Sequence, residues 1–110
     1  MTATINELDP NIAKTWLDNK EAVLVDVREV DEYETLSIPG AKLIPLASVT
    51  RDKLPIIQEG QKIIVHCARG ARSARAIQTL QEEHPELPLY NLTGGITLWA
   101  QLGLPVVQKP

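Results

Sequence analysis

The chain has little cysteine, no excess of basic charge and no long apolar run, and each shortage excludes a class of protein. A single cysteine among 110 residues excludes an internal disulfide and a metal cluster held by several thiolates. The 11 Lys and Arg residues are outnumbered by 14 Asp and Glu residues, which argues against binding nucleic acid through bulk charge. No apolar run approaches the roughly 18 residues that span a bilayer. We therefore expect no metal, no nucleic-acid partner and no membrane partner.

The overall composition and the start of the chain are those of an ordinary globular protein. Hydrophobic residues make up 44% of the chain and charged residues 23%, which argues against disorder. Residues 1–10 are polar and lack the apolar core of a signal peptide. No repeat, low-complexity stretch or linker divides the chain, and its length suits one domain. The prediction is a single cytoplasmic domain over residues 1–110.

Short apolar runs alternate with segments of helical spacing along the chain. Continuous apolar runs predict buried strands over 22–27, 62–66 and 89–92, and a brief strand is predicted at 43–44. Between them we predict helices that begin after the N-cap Asp9 and that cover 29–36, 73–83 and 96–102. Another short helix is expected between Pro45 and Pro55. This alternation is typical of an α/β protein with parallel strands and helices on both faces of the sheet.

The most informative segment is the junction after the strand at 62–66. Cys67 follows that strand directly, and Gly70 lets the next residues curl so that backbone N–H groups form an anion-binding nest. A helix begins just beyond, and its N-terminus carries partial positive charge. We expect the pKa of a thiol placed there to be lowered. Arg69 and Arg72 add donors suited to an oxyanion. The segment thus predicts a nucleophilic sulfur facing an anion site.

Structural roles are the alternative for the residues around this junction. A lone cysteine is often a buried core residue, but core packing does not call for a glycine and two arginines within the next five positions. Ser73 is predicted to cap or begin the helix rather than to act in catalysis. His66 is predicted to be a core or hydrogen-bonded histidine, because adjacent strand residues point to opposite faces. His84 is expected at a helix end on the surface, and no metal-ligand spacing links these residues.

Three segments together resemble the rhodanese-like domains, a family of sulfurtransferases. HCARGARSARAIQTL (residues 66–80) resembles the active-site loop and helix of that family. LVDVREVDEYETLSIPGA (residues 24–41) is similar to its N-terminal signature, and NLTGGITLWAQLGLPV (residues 91–106) to its C-terminal one. The order of the three segments is also that of the family. One departure is visible, since Leu36-Ser37 stands where the family usually has Gly-His.

The resemblance implies a five-stranded, mostly parallel sheet flanked by helices on both faces, and a sulfur-transfer reaction without a cofactor. Cys67 would take sulfane sulfur from thiosulfate or a similar small anionic donor as a persulfide. A thiophilic acceptor such as cyanide or a thiol would then remove it, as in covalent catalysis with two half-reactions. A protein is a further candidate sulfur acceptor.

The resemblance also assigns residues to roles. Cys67 is the nucleophile, and the substrate cradle consists of Ala68, Arg69, Gly70, Ala71, Arg72 and Ser73. Asp26 and Arg28 lie at the end of a neighbouring strand and support the site, where an ion pair that braces the loops is favoured over substrate contact. Gly94-Gly95 is either a plain turn or a place where backbone passes close to the cysteine loop, and Trp99 is expected in the core.

Two other classes of function remain open at the level of sequence. A sulfur-relay or regulatory module that accepts persulfide from a partner protein would use the same Cys67. A phosphatase or arsenate reductase also carries a cysteine loop between a strand and a helix. The phosphatases place five residues between cysteine and arginine, whereas only four separate Cys67 from Arg72. A shorter loop makes a smaller pocket, which suits a single sulfur better than a phosphate.

Overall fold

A five-stranded parallel sheet forms the centre of the computed structural model, which describes residues 4–109. Its strands are β1 (Glu7–Leu8), β2 (Ala22–Asp26), β4 (Lys42–Leu43), β5 (Lys62–His66) and β6 (Leu89–Leu92), in the spatial order β1-β6-β5-β2-β4. Every pairing in this sheet is parallel. Two further strands, β3 (Leu36–Ser37) and β7 (Val107–Gln108), pair antiparallel as a separate small sheet.

Four helices connect the strands. They are α1 (Pro10–Asp18), α2 (Val30–Thr35), α3 (Ala71–Glu83) and α4 (Gly95–Gln101), and two 3₁₀ turns lie at Leu46–Ser48 and Arg51–Lys53. The carboxylate of Asp9 caps α1 by accepting the N–H of Asn11 at 2.8 Å, so the predicted N-cap is confirmed. Among the helices of residues 4–109, none combines the length and the apolar character needed to cross a membrane.

The two faces of the sheet carry separate cores, because neighbouring residues of a strand point in opposite directions. Ile63 and Val65 of β5 belong to one core, which Ile77 of α3 completes. Ile64 belongs to the other core, together with Ala13 of α1 and Trp99 of α4. The predicted α/β architecture with helices on both faces, and the core position of Trp99, are confirmed.

Element boundaries differ from the predictions in a few places. The strands at 62–66 and 89–92 are confirmed to the residue, while β2 ends one residue early at Asp26 and the brief strand is Lys42–Leu43. Helix α3 begins two residues before Ser73, because Gly70 is its N-cap with a positive φ of 115°. Of the two positions predicted for Ser73, N-cap or first turn of the helix, the first turn is confirmed, since Gly70 is the N-cap. The two-residue strands β1, β3 and β7 were missed, since they are too short for a hydrophobic period.

Parallel pairing of β2 with β5 brings the functional segments to one edge of the sheet. Asp26 and His66 are register partners at the carboxyl ends of these strands. Cys67 follows His66 at once, so the predicted site lies where ligands usually bind in parallel α/β sheets.

Candidate active site

The loop that follows Cys67 folds back around the Cys67 sulfur. Cys67 is 1% exposed, and its Sγ accepts the backbone N–H of Gly70 at 3.0 Å. The hydroxyl oxygen of Ser73 lies 3.4 Å from the same sulfur. Gly70 adopts a φ of 115°, which side chains with a Cβ rarely tolerate, and this turns the loop back over the thiol. The loop predicted from residues 68–73 is therefore formed around Cys67.

Helix α4 holds the outer side of this loop. The N–H of Ile96 donates to the carbonyl of Cys67 at 3.0 Å, and the N–H of Thr97 donates to the carbonyl of Ala68 at 3.0 Å. Gly95 permits this approach, since a Cβ added there would stand 2.5 Å from both carbonyl oxygens. Of the two roles left open for the glycine pair, close approach to the cysteine loop is the one that Gly95 has.

The surroundings of Cys67 favour its ionised form. Burial raises the pKa of the Cys67 thiol, but the polar groups around its sulfur, chiefly the backbone N–H groups of Ser73, Gly70 and Arg69 with the Ser73 hydroxyl close by, hold the pKa below the ordinary value. A lowered pKa increases the share of thiolate, which is the nucleophilic form of cysteine. A sulfur in this position can attack without a separate general base.

The two loop arginines are placed differently. Both terminal nitrogens of Arg72 donate to Glu32, with Nη1 2.7 Å from Oε1 and Nη2 3.0 Å from Oε2. Arg69 is exposed and has no ion-pair partner within residues 4–109. Arg72 is thus fixed beside the loop, whereas Arg69 projects from it. Glu32 belongs to the first signature segment, but nothing in the sequence gave it a partner.

An open cleft of about 610 Å³ adjoins Arg72, between the N-terminal half of α3 on one side and the segment after β2 and the 3₁₀ turn at Leu46–Ser48 on the other. Its lining combines apolar and guanidinium groups and consists of Val27, Glu29, Leu46, Ala47, Arg72, Arg75 and Thr79. This volume is in the range of small-molecule sites.

Asp26 and Arg28 form a buried ion pair next to the site. Arg28 Nη2 lies 2.8 Å from Asp26 Oδ2, and the same nitrogen donates to the carbonyl of Leu36 at 2.7 Å. The two residues are 0% and 4% exposed. The pair joins the end of β2 to β3, which is the bracing geometry favoured from the sequence.

His66 is a buried neighbour of that pair. Its Nε2 lies 3.5 Å from Asp26 Oδ2, and its Nδ1 lies 3.2 Å from the carbonyl oxygen of Cys67, an acceptor that requires Nδ1 to carry the proton. Burial lowers the pKa of His66, although Asp26 opposes this. The prediction of a buried, hydrogen-bonded histidine is confirmed, and His84 is partly exposed at the end of α3.

A polar chain leads away from the thiol on the other side. Ser73 Oγ lies 2.5 Å from Asn91 Oδ1, and Asn91 Nδ2 donates to Glu7 Oε2 at 2.9 Å and to the carbonyl of Gly70 at 3.2 Å. Asn91 reaches the site because β6 pairs with β5 and places it beside Val65. Sequence analysis missed both Asn91 and Glu7. Among residues 4–109, no group of three or more His, Cys, Asp or Glu side chains is arranged to hold a metal ion.

The ion pair between Glu32 and Arg72 makes the stability of the fold sensitive to protonation of the Glu32 carboxyl. The hydrogen bond from Arg72 lowers the pKa of Glu32 from 4.5 to about 2. Because the unfolded chain then binds the proton more tightly, this stabilisation is present above pH 4.5 and is lost as the pH falls toward 2. As the pH falls over that range, we expect the unfolding free energy of Glu32→Gln to decrease by about 1 kcal/mol less than that of the parent protein, a value reduced because the pair is partly exposed. Urea unfolding at several pH values measures this.

The control for that experiment is Glu34→Gln, which removes an exposed carboxylate from the same helix. It should retain the acid dependence of the parent protein. Equal losses in Glu32→Gln and the parent would mean that the pair does not contribute.

Comparison with known protein families shows which family this chain belongs to. The pattern of the rhodanese-like domain matches residues 9–102. The chain belongs to the rhodanese-like family. Its similarity to a sulfurtransferase of Allochromatium vinosum is 32% identity over 104 residues, with 94% of this chain and 95% of that protein covered. The predicted family and fold are thereby confirmed.

Other rhodanese-like relatives are longer. Bacillus subtilis YrkF, a candidate sulfur carrier protein by name, is 33% identical over 82 residues, which cover 74% of this chain and 44% of that protein. The crystal structure of a thiosulfate sulfurtransferase from Pseudomonas aeruginosa superposes with a TM-score of 0.82 at 29% identity, covering 96% of this chain and 21% of that one. The chain therefore spans less than half the length of these two relatives.

Proposed function

We propose that this rhodanese-like domain is a thiosulfate-type sulfurtransferase that carries sulfur on Cys67. The observation that carries the proposal is the lone thiol at the centre of a loop whose Gly70 N–H contacts it at 3.0 Å and whose environment lowers its pKa. Such a loop stabilises negative charge on sulfur both before and after sulfur transfer.

The reaction proceeds in two half-reactions. The Cys67 thiolate attacks the outer sulfur of thiosulfate, a new S–S bond forms, and the old S–S bond breaks as sulfite leaves with the electron pair. Cyanide or a thiolate then attacks the outer sulfur of the persulfide. That sulfur leaves as thiocyanate or as a new persulfide, and the electron pair returns to Cys67 as thiolate. No net oxidation and no cofactor are required.

The arginines supply the recognition of an anionic donor. Arg69 is exposed and without an ion pair in residues 4–109, so its guanidinium is available to the sulfonate end of thiosulfate. Arg72 keeps its charge beside the loop while Glu32 fixes its orientation. The buried pair of Asp26 and Arg28 contributes by holding the neighbouring segment rather than by touching substrate.

The size of the site supports sulfur over phosphate. Cys67 is 1% exposed, so the space around its sulfur is narrow, and this favours a single terminal sulfur atom over a bulky phosphate group. Four residues separate Cys67 from Arg72, one fewer than in the phosphatase loops considered above. The cleft beside Arg72 offers space for the remainder of an organic thiol acceptor.

The test is the intact mass of the protein before thiosulfate, after thiosulfate and after cyanide. We expect a gain of one sulfur that cyanide removes. If thiosulfate adds nothing but a protein persulfide loads Cys67, the protein is a sulfur relay and thiosulfate is not its donor. If neither loads it and an aryl phosphate is hydrolysed, the proposal is wrong and the phosphatase alternative holds.

A further inference from the structure

The hydroxyl of Ser73 has one proton and three acceptors around it. Asn91 Oδ1 lies at 2.5 Å, the carbonyl of Gly70 at 3.2 Å and the sulfur of Cys67 at 3.4 Å. A hydroxyl donates only one hydrogen bond at a time. Which acceptor receives the proton therefore decides whether Ser73 stabilises the thiolate or the thiol.

The orientation of the Asn91 side chain follows from its other contacts. Its second polar atom faces Glu7 Oε2 at 2.9 Å and the carbonyl of Gly70 at 3.2 Å. An ionised carboxylate and a backbone carbonyl only accept hydrogen bonds, so the NH₂ group of Asn91 must point at them. The amide oxygen is then left facing Ser73.

This geometry places the Ser73 proton on the side of Asn91. Two oxygens at 2.5 Å repel each other unless a proton lies between them. Asn91 is 3% exposed, so water does not readily take the place of the Ser73 hydroxyl as donor to the amide oxygen. If the hydroxyl turned to Cys67, a buried amide oxygen would lose its donor. Ser73 accordingly presents its lone pairs to the sulfur, where they accept the S–H of the thiol.

We propose that Asn91 is a positioning residue that keeps the Ser73 hydroxyl proton away from the Cys67 sulfur. The backbone N–H groups of the loop then hold the thiolate charge alone, and ionisation of Cys67 is restrained rather than assisted by its nearest hydroxyl. Because oxidation of cysteine follows its thiolate character, the restraint also protects a lone reactive thiol. The inference deepens the proposed function, since it concerns the same nucleophile.

Other charges near the sulfur are left unchanged by the variants proposed below. Arg69 and the Arg72–Glu32 pair lie on the loop side, and the Asp26–Arg28 pair with His66 lies at the ends of β2 and β5. Among the hydrogen bonds of residues 4–109, Glu7 is connected to the sulfur through Asn91. Changes in the titration of Cys67 therefore report on the hydroxyl.

The test measures the rate at which iodoacetamide alkylates Cys67 as a function of pH, followed by intact mass. The chain has one cysteine, so the signal has a single source. In Asn91→Leu the hydroxyl is free to donate to sulfur, and we expect about fivefold more thiolate at a pH below the midpoint, the effect of one ordinary hydrogen bond. Ser73→Ala alone should leave the thiolate fraction unchanged or raise it.

The decisive comparison is Ser73→Ala in the two backgrounds. In the Asn91→Leu background, Ser73→Ala should lower the thiolate fraction of Cys67 back toward the parental value, whereas in the parent protein it should leave that fraction unchanged or raise it. Loosened packing alone does not produce such a change of sign. A lower thiolate fraction in Ser73→Ala alone would overturn the proposal, because Ser73 would then donate to sulfur in the parent protein. That single variant decides the matter even if Asn91→Leu does not fold. Alkylation needs no sulfur donor, so this outcome is independent of the test of sulfur transfer.

Discussion

Cys67→Ser is expected to abolish sulfur uptake from thiosulfate and to reduce thiocyanate production at least about a thousandfold. A serine hydroxyl is not ionised near neutral pH and cannot hold a persulfide in this reaction. The fold should persist, because the replacement is nearly the same size and its oxygen can accept the N–H that Gly70 now donates to sulfur. Intact mass and a thiocyanate assay with thiosulfate and cyanide measure the two effects.

The matched control for this variant is Ser48→Ala, a small change in an exposed 3₁₀ turn outside the loop. It should load and release sulfur like the parent protein. Urea unfolding of Cys67→Ser should show a change of about 1 kcal/mol or less, which separates loss of chemistry from loss of structure. Thiocyanate production at the parental rate in Cys67→Ser would refute the persulfide mechanism.

Gly95→Ala is expected to have the second largest effect. Its Cβ would stand 2.5 Å from the carbonyl oxygens of Cys67 and Ala68, and its φ of 58° is in the left-handed region. Either α4 or the cysteine loop must move, and backbone cannot rotate away as a side chain can. We expect a loss of about 3 kcal/mol or more in unfolding free energy and a roughly hundredfold slower sulfur transfer, because displacing the loop misplaces the nucleophile.

Gly103→Ala is the control for that substitution. Gly103 also has a positive φ, of 77°, but an added Cβ would meet nothing within 4 Å. It should carry only the backbone strain of about 1–2 kcal/mol and leave sulfur transfer unchanged. Urea unfolding and the rate of thiocyanate formation should separate the two glycines. Equal losses in both variants would mean that contact with the loop carbonyls is not what Gly95 provides.

The parts of this protein that were predictable are those encoded by neighbouring residues. The apolar run of β5, the cysteine after it and the glycine three residues later lie within one short segment, so strand, nucleophile and turn follow from local patterns. The roles of Cys67 and of its loop remain predictions until sulfur transfer is measured. The start of α3 was misplaced because Gly70, rather than Ser73, caps the helix.

The parts that were not predictable depend on contacts between distant residues. Arg72 and Glu32 are 40 positions apart, and Asn91 and Glu7 are 84 positions apart. Their pairing follows from the order β1-β6-β5-β2-β4 and from the register of its strands. A single sequence carries no pattern that selects these partners among the other acidic and polar residues, and the two-residue strands β1, β3 and β7 leave no periodic signal.

The contact between α4 and the cysteine loop also orders events during synthesis of the chain. Cys67 and Gly70 leave the ribosome well before Ile96 and Thr97, whose N–H groups hold the carbonyls of Cys67 and Ala68. Until those residues arrive, the carbonyls of Cys67 and Ala68 lack the two N–H donors that α4 supplies. We therefore expect the site around Cys67 to reach its final geometry only after α4 has been synthesised and has packed against the loop.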